Sequence, residues 1–598
     1  MISHRQRHTV RALVAGLAVA CLAVLGVAVF PMAASAATTY SVTSTADAGA
    51  GSLREAIGLA NGTAGLDTIT FALPANSVIQ LLTTVTITDG LTIDGAGVSG
   101  LVITGVGGQP SGPYALLLVA AAISDQDLSF NDLIFDGTAG SPAGWQGVAI
   151  ATTFGALNHL PRSLALTRII GKNINSAGLE GPVLNEFAMQ SGGPVTITDS
   201  TFTNNTSATG TLEGGGAVFI RGTSGLVTVT GSTFTNNTAR SGGAIFFEGN
   251  GGGVATLSVV GSTFTGNSAT GAASVPASDG EGGAIAASTI ANVTITGSTF
   301  SGNTASVNGG AVAIGALQLA TSQVSITTSS FLNNHATIGG GGFWSSTVQG
   351  DVSVSGSTFS GNTLSTDPAD GPLGNSIRLT GTGNHGLTVL SSTLDEPAAA
   401  PSTWAIAIET TGTSPLTITH STIVGPGAVI VRTLAGTGSS ISHTILWSLG
   451  AANDTLVALL FGLPGTNTIA ASWNLSSGAT QPFLAVGLGN QFSVSSLGLS
   501  PLANNGGLTR TRLPIDGSAA HNGGNPAISG APANDQRGSG FARIVQTIDI
   551  GAVELQAATL AATGTPVEPG LPLSGALLIL LGLIAVAYSR RRTVHADR

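Results

Sequence analysis

Across residues 195–363 short runs of alternating apolar and hydroxyl-bearing residues return six times: VTITDSTFTNNTS, VTVTGSTFTNNTA, LSVVGSTFTGNSA, VTITGSTFSGNTA, VSITTSSFLNNHA and VSVSGSTFSGNTL. Val227, Thr228, Val229 and Thr230 have the two-residue period of a strand with one buried face, and β-branched residues suit a pleated surface. Gly231 and Ser232 break the run, Phe234 supplies the largest apolar group, and Asn236 and Asn237 close with a residue type that tolerates tight bends. A Gly-Gly-Ala-apolar segment follows in most copies, at 215–218, 242–245, 282–285 and 309–312, and reads as a second short strand.

The aromatic recurs at Phe202, Phe234, Phe264, Phe300, Phe331 and Phe359, spaced 28 to 36 residues apart. Three residues after each stands an asparagine: Asn205, Asn237, Asn267, Asn303, Asn334 and Asn362. One unit of this size has too little apolar surface to fold alone, whereas stacked copies place Val on Val, Phe on Phe and Asn on Asn. The expectation is an all-β parallel solenoid, with strands about 4.8 Å apart and asparagine amides bonded from coil to coil. Length variation then falls on exposed loops such as 270–281.

Outside the clear copies, residues 53–59 read as a short amphipathic helix with Leu53, Ala56, Ile57 and Ala60 on one face, suited to capping the open end of the stack. Arg54 and Glu55 there are read as a capping ion pair rather than a catalytic one. Looser strands recur from residue 85 to about 480. The segment that follows is rich in Gly and Asn and reads as loops closing the far end.

Composition narrows the class. Charged residues make up 8% and glycines number 86, against roughly a quarter charged in ordinary domains. The formal net charge of −10 argues against nucleic acid or anionic polymers as electrostatic partners. Arg5, Arg7 and Arg11 precede an apolar run at 12–30, and Ala34-Ser35-Ala36 fits a small-x-small cleavage site, so residues 1–36 read as a secretory signal peptide. The only cysteine, Cys21, falls inside it, which leaves the mature chain without a thiol. Residues 571–589 form an apolar span followed by Arg590, Arg591 and Arg592, the layout of a transmembrane helix with a basic cytoplasmic tail at 590–598.

Three stretches carry resemblances. Leu560, Ala561, Ala562, Thr563 and Gly564, upstream of the apolar span and the arginines, resemble a sortase sorting signal of the LPxTG type in its LAxTG variant. That resemblance implies cleavage between Thr563 and Gly564 by a class E-type sortase and transfer to the peptidoglycan of a high-GC Gram-positive cell wall, with a membrane-anchored precursor. Gly51-Ser52-Leu53-Arg54-Glu55-Ala56-Ile57 resembles the CSLREAI domain that begins many exported right-handed parallel β-helix proteins, with glycine where the family has cysteine. Asn505-Gly506-Gly507-Leu508-Thr509, Asp535-Gln536-Arg537-Gly538 and Asp549-Ile550-Gly551-Ala552-Val553-Glu554 resemble a choice-of-anchor domain of the Q type, and the repeats are similar to those of polymorphic outer-membrane proteins. The implied organisation is signal peptide 1–36, CSLREAI-like cap 37–80, right-handed parallel β-helix 81–480, choice-of-anchor-like cap 481–555, linker with the sorting motif 556–570, transmembrane helix 571–589 and tail 590–598.

Candidate chemistry is sparse. The densest acidic group is Asp125, Asp127, Asp132 and Asp136, with Arg162, Arg168 and Lys172 about one coil later. Solenoids that cleave acidic polysaccharides use clustered carboxylates with calcium or as an acid/base pair, so these are the candidate catalytic residues; the competing reading places them at bends and solvent-facing positions. His420 and His443 occupy equivalent places in successive coils, but two imidazoles make an incomplete metal site. Asp279-Gly280-Glu281 is the only hint of a calcium loop, and it does not repeat. The expected function is a wall-displayed, non-catalytic adhesin-like or structural protein whose partner is a glycan or a host or neighbour-cell surface ligand, needing no cofactor. The alternative is a surface polysaccharide lyase or glycoside hydrolase of pectin-lyase-like fold.

Overall fold

In the computed structural model every paired strand runs parallel to a strand one coil away, and the strands form sheets of 16, 14, 13 and 6 members. The described residues are 37–556 without 108–113, 121–125, 140–144, 153–160, 177–178, 188–192, 208–213, 224, 250–254, 273–278, 318–320, 347–349, 366–372, 382–385, 397–402, 411–414, 432–437, 450–456, 460–467 and 480–483. The expected signal peptide at 1–36, the sorting-signal-like stretch at 560–564 and the apolar span 571–589 lie outside them. Among the described residues no helix is long and apolar enough to cross a membrane.

One coil shows how the sequence phrase folds. Leu226–Thr230 lies in the first, 16-stranded sheet, Thr233–Thr235 in the second, 14-stranded sheet, Thr238–Ala239 in the short six-stranded sheet and Ile245–Gly249 in the third, 13-stranded sheet. The next coil begins at Thr256–Val260, paired in register with the first strand. Phe234 thus sits at the centre of its own three-residue strand, between the break at Gly231 and Ser232 and the bend at Asn236. The turn is made by Gly231 (φ 58°), a left-handed conformation that L side chains rarely adopt. In the Gly-Gly-Ala segment the second glycine is required by stacking, because a Cβ on Gly243 would overlap the carbonyl oxygen of Gly283 in the next coil.

Three interior rows hold the coils together. The six phenylalanines are fully buried and stack with centroids 4.5–4.8 Å apart, each burial being worth roughly 1.5–3 kcal/mol. Beside them runs the asparagine row. Asn237 Oδ1 accepts from the backbone N–H of Asn205 at 3.1 Å and from its Nδ2 at 2.9 Å, and the same relation repeats through Asn362. Each Nδ2 also donates to a carbonyl, as Asn237 does to Phe202 at 3.0 Å, so a fully buried amide leaves little of its hydrogen-bonding capacity unused. Glu396 ends the row. It accepts from Asn362 at 3.4 Å and from Ser376, and burial pushes its carboxyl up to about 7.

The third row runs through the serine that the sequence pattern marks only as a break. Ser232 Oγ accepts from the backbone N–H of Ser200 at 3.1 Å and donates to the carbonyl of Thr230 at 2.9 Å. The pattern continues through Ser262, Ser298, Ser329, Ser357, Ser392 and Ser421, past the point where phenylalanine gives way to Leu394 and Ile423.

At the amino-terminal end the helix Leu53–Ala60 packs against Thr39–Val42 and Val85–Ile87, the first strands of the first and third sheets, and buries Leu53, Ala56, Ile57 and Ala60. Ser52 is its N-cap and accepts from Glu55 N at 3.2 Å. Arg54 pairs with Asp47 (2.6 Å), while Glu55 accepts from Gly51 N, so the two are not partners; consecutive helix residues face different directions.

At the other end the chain does not simply close the stack. Residues 499–555 fold back along its side against the second sheet. Thr509 Oγ1 donates to Gly356 O at 3.0 Å, Arg512 forms a two-bonded ion pair with Asp395, and Ala552 N donates to Thr422 Oγ1 at 3.0 Å. The reason lies in the covered coils, where the outward row of that sheet passes into Ile445 and Leu475, which pack with Leu499, Ala520 and Ile550.

Candidate functional site

The acidic candidates resolve into ion pairs between coils. Asp127 begins the first-sheet strand Asp127–Asn131, Asp132 occupies the bend at φ 55°, and Asp136 ends the second-sheet strand Ile134–Asp136; Asp125 lies outside the described residues. Each of the three meets a cation one coil on. Asp127 accepts from Arg162 Nε (2.9 Å) and Ser163 Oγ (2.6 Å), Asp132 accepts two bonds from Arg168 (2.6 Å each), and Asp136 lies 3.1 Å from Lys172 Nζ. The Arg162 hydrogen bond holds the Asp127 carboxyl below its ordinary value against some burial. Burial pushes Asp136 up, but bonds from Thr138 and the Lys172 charge outweigh it and leave it lowered. The register explains the pairing, since Asp127 lies opposite Ser163 and Asp136 opposite Lys172. The three carboxylates therefore follow the coil perimeter across two sheets, each with its own cation.

Asp279, from the glycine-flanked acidic segment, is buried and paired with Arg240, and it also accepts from Ala272 N at 3.2 Å. Among the described residues no group of three His, Cys, Asp or Glu side chains is placed to hold a metal ion.

The densest polar cluster forms where the carboxyl-terminal segment meets the solenoid. His420 and His443 follow the corner row that in earlier coils is Gly231, Gly261 and Gly297; both have positive φ (50° and 48°) and their rings lie 5.0 Å apart, with Trp473 next. Fully buried Arg543 donates through Nη2 to His420 Nδ1 (3.2 Å) and to the carbonyls of Asp549 (2.9 Å) and Gly551 (2.7 Å). The bond to Nδ1 requires neutral imidazole there. Burial and the Arg543 charge accordingly lower His420 to about 2 and His443 to about 4.

The motif pieces of this segment knit it internally. Arg537 bonds Asp535 (2.6 Å) and the Glu554 carbonyl (2.6 Å), Glu554 accepts from Val545 N and Asp549 N, and Asp549 accepts from Asn522 N and Leu555 N. Burial raises Glu554 to about 7 and also raises Asp549. Gln536 reaches the solenoid, donating to Thr358 Oγ1 at 2.9 Å and accepting from Thr393 Oγ1 at 2.5 Å. These polar groups make docking contacts within the chain. Sequence alone flags the two histidines, but Arg543, 123 residues from His420, gives no local signal.

The exterior of the central coils is different in kind. On the second sheet the outward positions on either side of each phenylalanine are Thr201 and Thr203, Thr233 and Thr235, Thr263 and Thr265, Thr299 and Ser301, aligned coil on coil. All are at least partly exposed and none carries a charge.

Residues 187–445 match the family model described as "Right handed beta helix region", in accord with the parallel stack. The described residues form a right-handed parallel β-solenoid with very little helix. No curated protein matches it.

Proposed function

We propose that this is a cell-wall-anchored, surface-displayed β-helix protein with a non-catalytic, adhesin-like or structural role. The observation that carries this reading is the pairing of Asp127, Asp132 and Asp136 with the cations of the next coil, which leaves a long, mostly uncharged lateral surface as the main feature of the rod. A catalytic acid or base needs a proton-transfer partner on the substrate within hydrogen-bond reach, whereas these carboxylates are bonded to the chain itself. The display rests on the sequence: Leu560, Ala561, Ala562, Thr563 and Gly564, the apolar span 571–589 and the arginines after it occur in the order of a sorting signal. Peptidoglycan and a class E-type sortase are the partners this implies, with an exposed glycan or cell surface as ligand.

Incubating the purified full-length protein with acidic and neutral polysaccharides tests the non-catalytic role. Binding without turnover supports it, and turnover abolished by Asp127→Asn would establish a lyase or hydrolase instead. Thr563→Ala tests the anchor, which requires the variant to move from the wall to the membrane fraction of a Gram-positive host.

A further inference from the structure

We propose that the outward face of the second sheet between Thr201 and Ser301 binds the surface of ice. Its two files of residues, Thr201, Thr233, Thr263 and Thr299 beside Thr203, Thr235, Thr265 and Ser301, form a lattice of hydroxyl groups, and seven of the eight also carry a β-methyl. Neighbours along a file are separated by one coil, which the phenylalanines directly beneath set at 4.6–4.8 Å. The two files are two residues apart along a strand, about 6.6–6.8 Å. These two steps lie close to the oxygen repeats on a prism face of hexagonal ice.

The lattice is also regular: the phenylalanine rings beneath it stack within 16°, 3° and 4° of parallel, so one side-chain geometry repeats from coil to coil. The asparagine and serine rows on either side hold the coils in this register, so binding would cost little ordering.

The chemistry fits a water lattice better than a saccharide. None of the seven threonine hydroxyls bonds to the protein among the described residues, so each is open to water. Their β-methyls, held at fixed spacing, limit the arrangements that water can take between them. Sugar-binding faces stack rings on aromatic side chains, and between Thr201 and Ser301 every aromatic ring of the sheet points inward. The outward file continues toward the amino terminus as Val78, Val102, Ile134 and Ile170, so β-branched methyls occupy one position for eight coils. In the opposite direction the carboxyl-terminal segment covers the equivalent Thr358 and Thr393, which bounds the face.

The proposal does not depend on anchoring or on the absence of catalysis, so its failure is separate from theirs. The test uses the purified full-length protein, with ice-crystal habit and thermal hysteresis read in an osmometer and partition into a slowly growing ice hemisphere. Faceted crystals, a hysteresis gap and enrichment in the ice are expected. Thr233→Lys should abolish all three while Thr294→Lys, on the first sheet, keeps them. Where Thr233→Lys lowers the melting temperature, Thr235→Tyr takes its place, an aromatic being well suited to a strand. Absence of hysteresis and partition in the wild type, retention of both in the second-sheet variants, or loss in Thr294→Lys overturns the proposal. Retention on crystalline cellulose or chitin that Thr233→Lys removes, without ice activity, assigns the face to a glycan and overturns it too.

Discussion

Thr233 and Thr393 occupy the same outward position of the same sheet, five coils apart in one register, yet the first is partly exposed and the second is completely buried. Between them the molecule changes its means of stability. The open coils, up to about residue 338, are held from inside by phenylalanine and asparagine rows. The coil of Phe359 and Asn362 still carries both rows; after it leucine and isoleucine replace the aromatic and the asparagine row ends at Glu396, while from residue 356 onward the carboxyl-terminal segment grips the outside through Gln536, Arg512 and Arg543. The covered coils keep a buried apolar interior and the serine row, and add to them a support on the exterior.

The sharpest way to break that comparison is Arg543→Ala. Removing a buried guanidinium from beside Asp535, Asp549 and Glu554 should cost about 3–5 kcal/mol. Hydrogen exchange should speed up in residues 356–476 and leave residues 195–338 unchanged.

Acid should act on the same side of the division. The neutral form of His420 and His443 is favoured on folding, so their contribution is complete above the ordinary value of 6.5 and is lost as pH falls toward about 4 and then about 2. Glu554, Glu396 and Asp549 have raised values and titrate in the opposite sense, losing stability as pH rises. The telling quantity is therefore the difference between wild type and His420→Asn, asparagine being tolerated at positive φ. Thermal melts should show the wild-type advantage shrinking from pH 7 to pH 4.

Within the open coils Asn303→Ala should cost about 1–3 kcal/mol by leaving the buried N–H of Asn267 without its acceptor. Denaturant titration should place the loss in the open coils, since the row ends at Asn362 and Glu396 in the first of the covered ones. The smallest pair of effects is the most specific. Thr235→Ala, outside the core, should change stability by less than about 0.5 kcal/mol. Thr393→Ala, which removes the donor to Gln536, should cost about 1 kcal/mol.

Much of the open region was legible because its interior repeats with a fixed local pattern. The alternation at Val227–Thr230, the phenylalanines and the asparagines each carry their own signal, and a row of identical side chains is what stacking needs. The helix face of Leu53, Ala56, Ile57 and Ala60 was legible for the same local reason. The serine row was hidden because serine next to glycine reads as a turn; its hydrogen bonds to the neighbouring coil are invisible in one copy. The covered region was not legible at all as a contact. Gln536 meets Ser357 across 179 residues and Arg543 meets His420 across 123, separations at which no periodicity relates the partners. The acidic candidates failed to suggest their partners for a milder reason: Arg162, Arg168 and Lys172 stand one irregular coil away, and only the strand register shows that each faces a particular aspartate.

The asparagine row has one more consequence. Each amide bonds only to the coil before it and the coil after it, and each coil presents the same groups upward as it receives from below. A copied or deleted repeat would therefore splice into the stack without disturbing either end. Gene-level duplication could lengthen or shorten the rod in steps of one strand spacing, about 4.8 Å, making reach the property that evolution can adjust most freely in this protein.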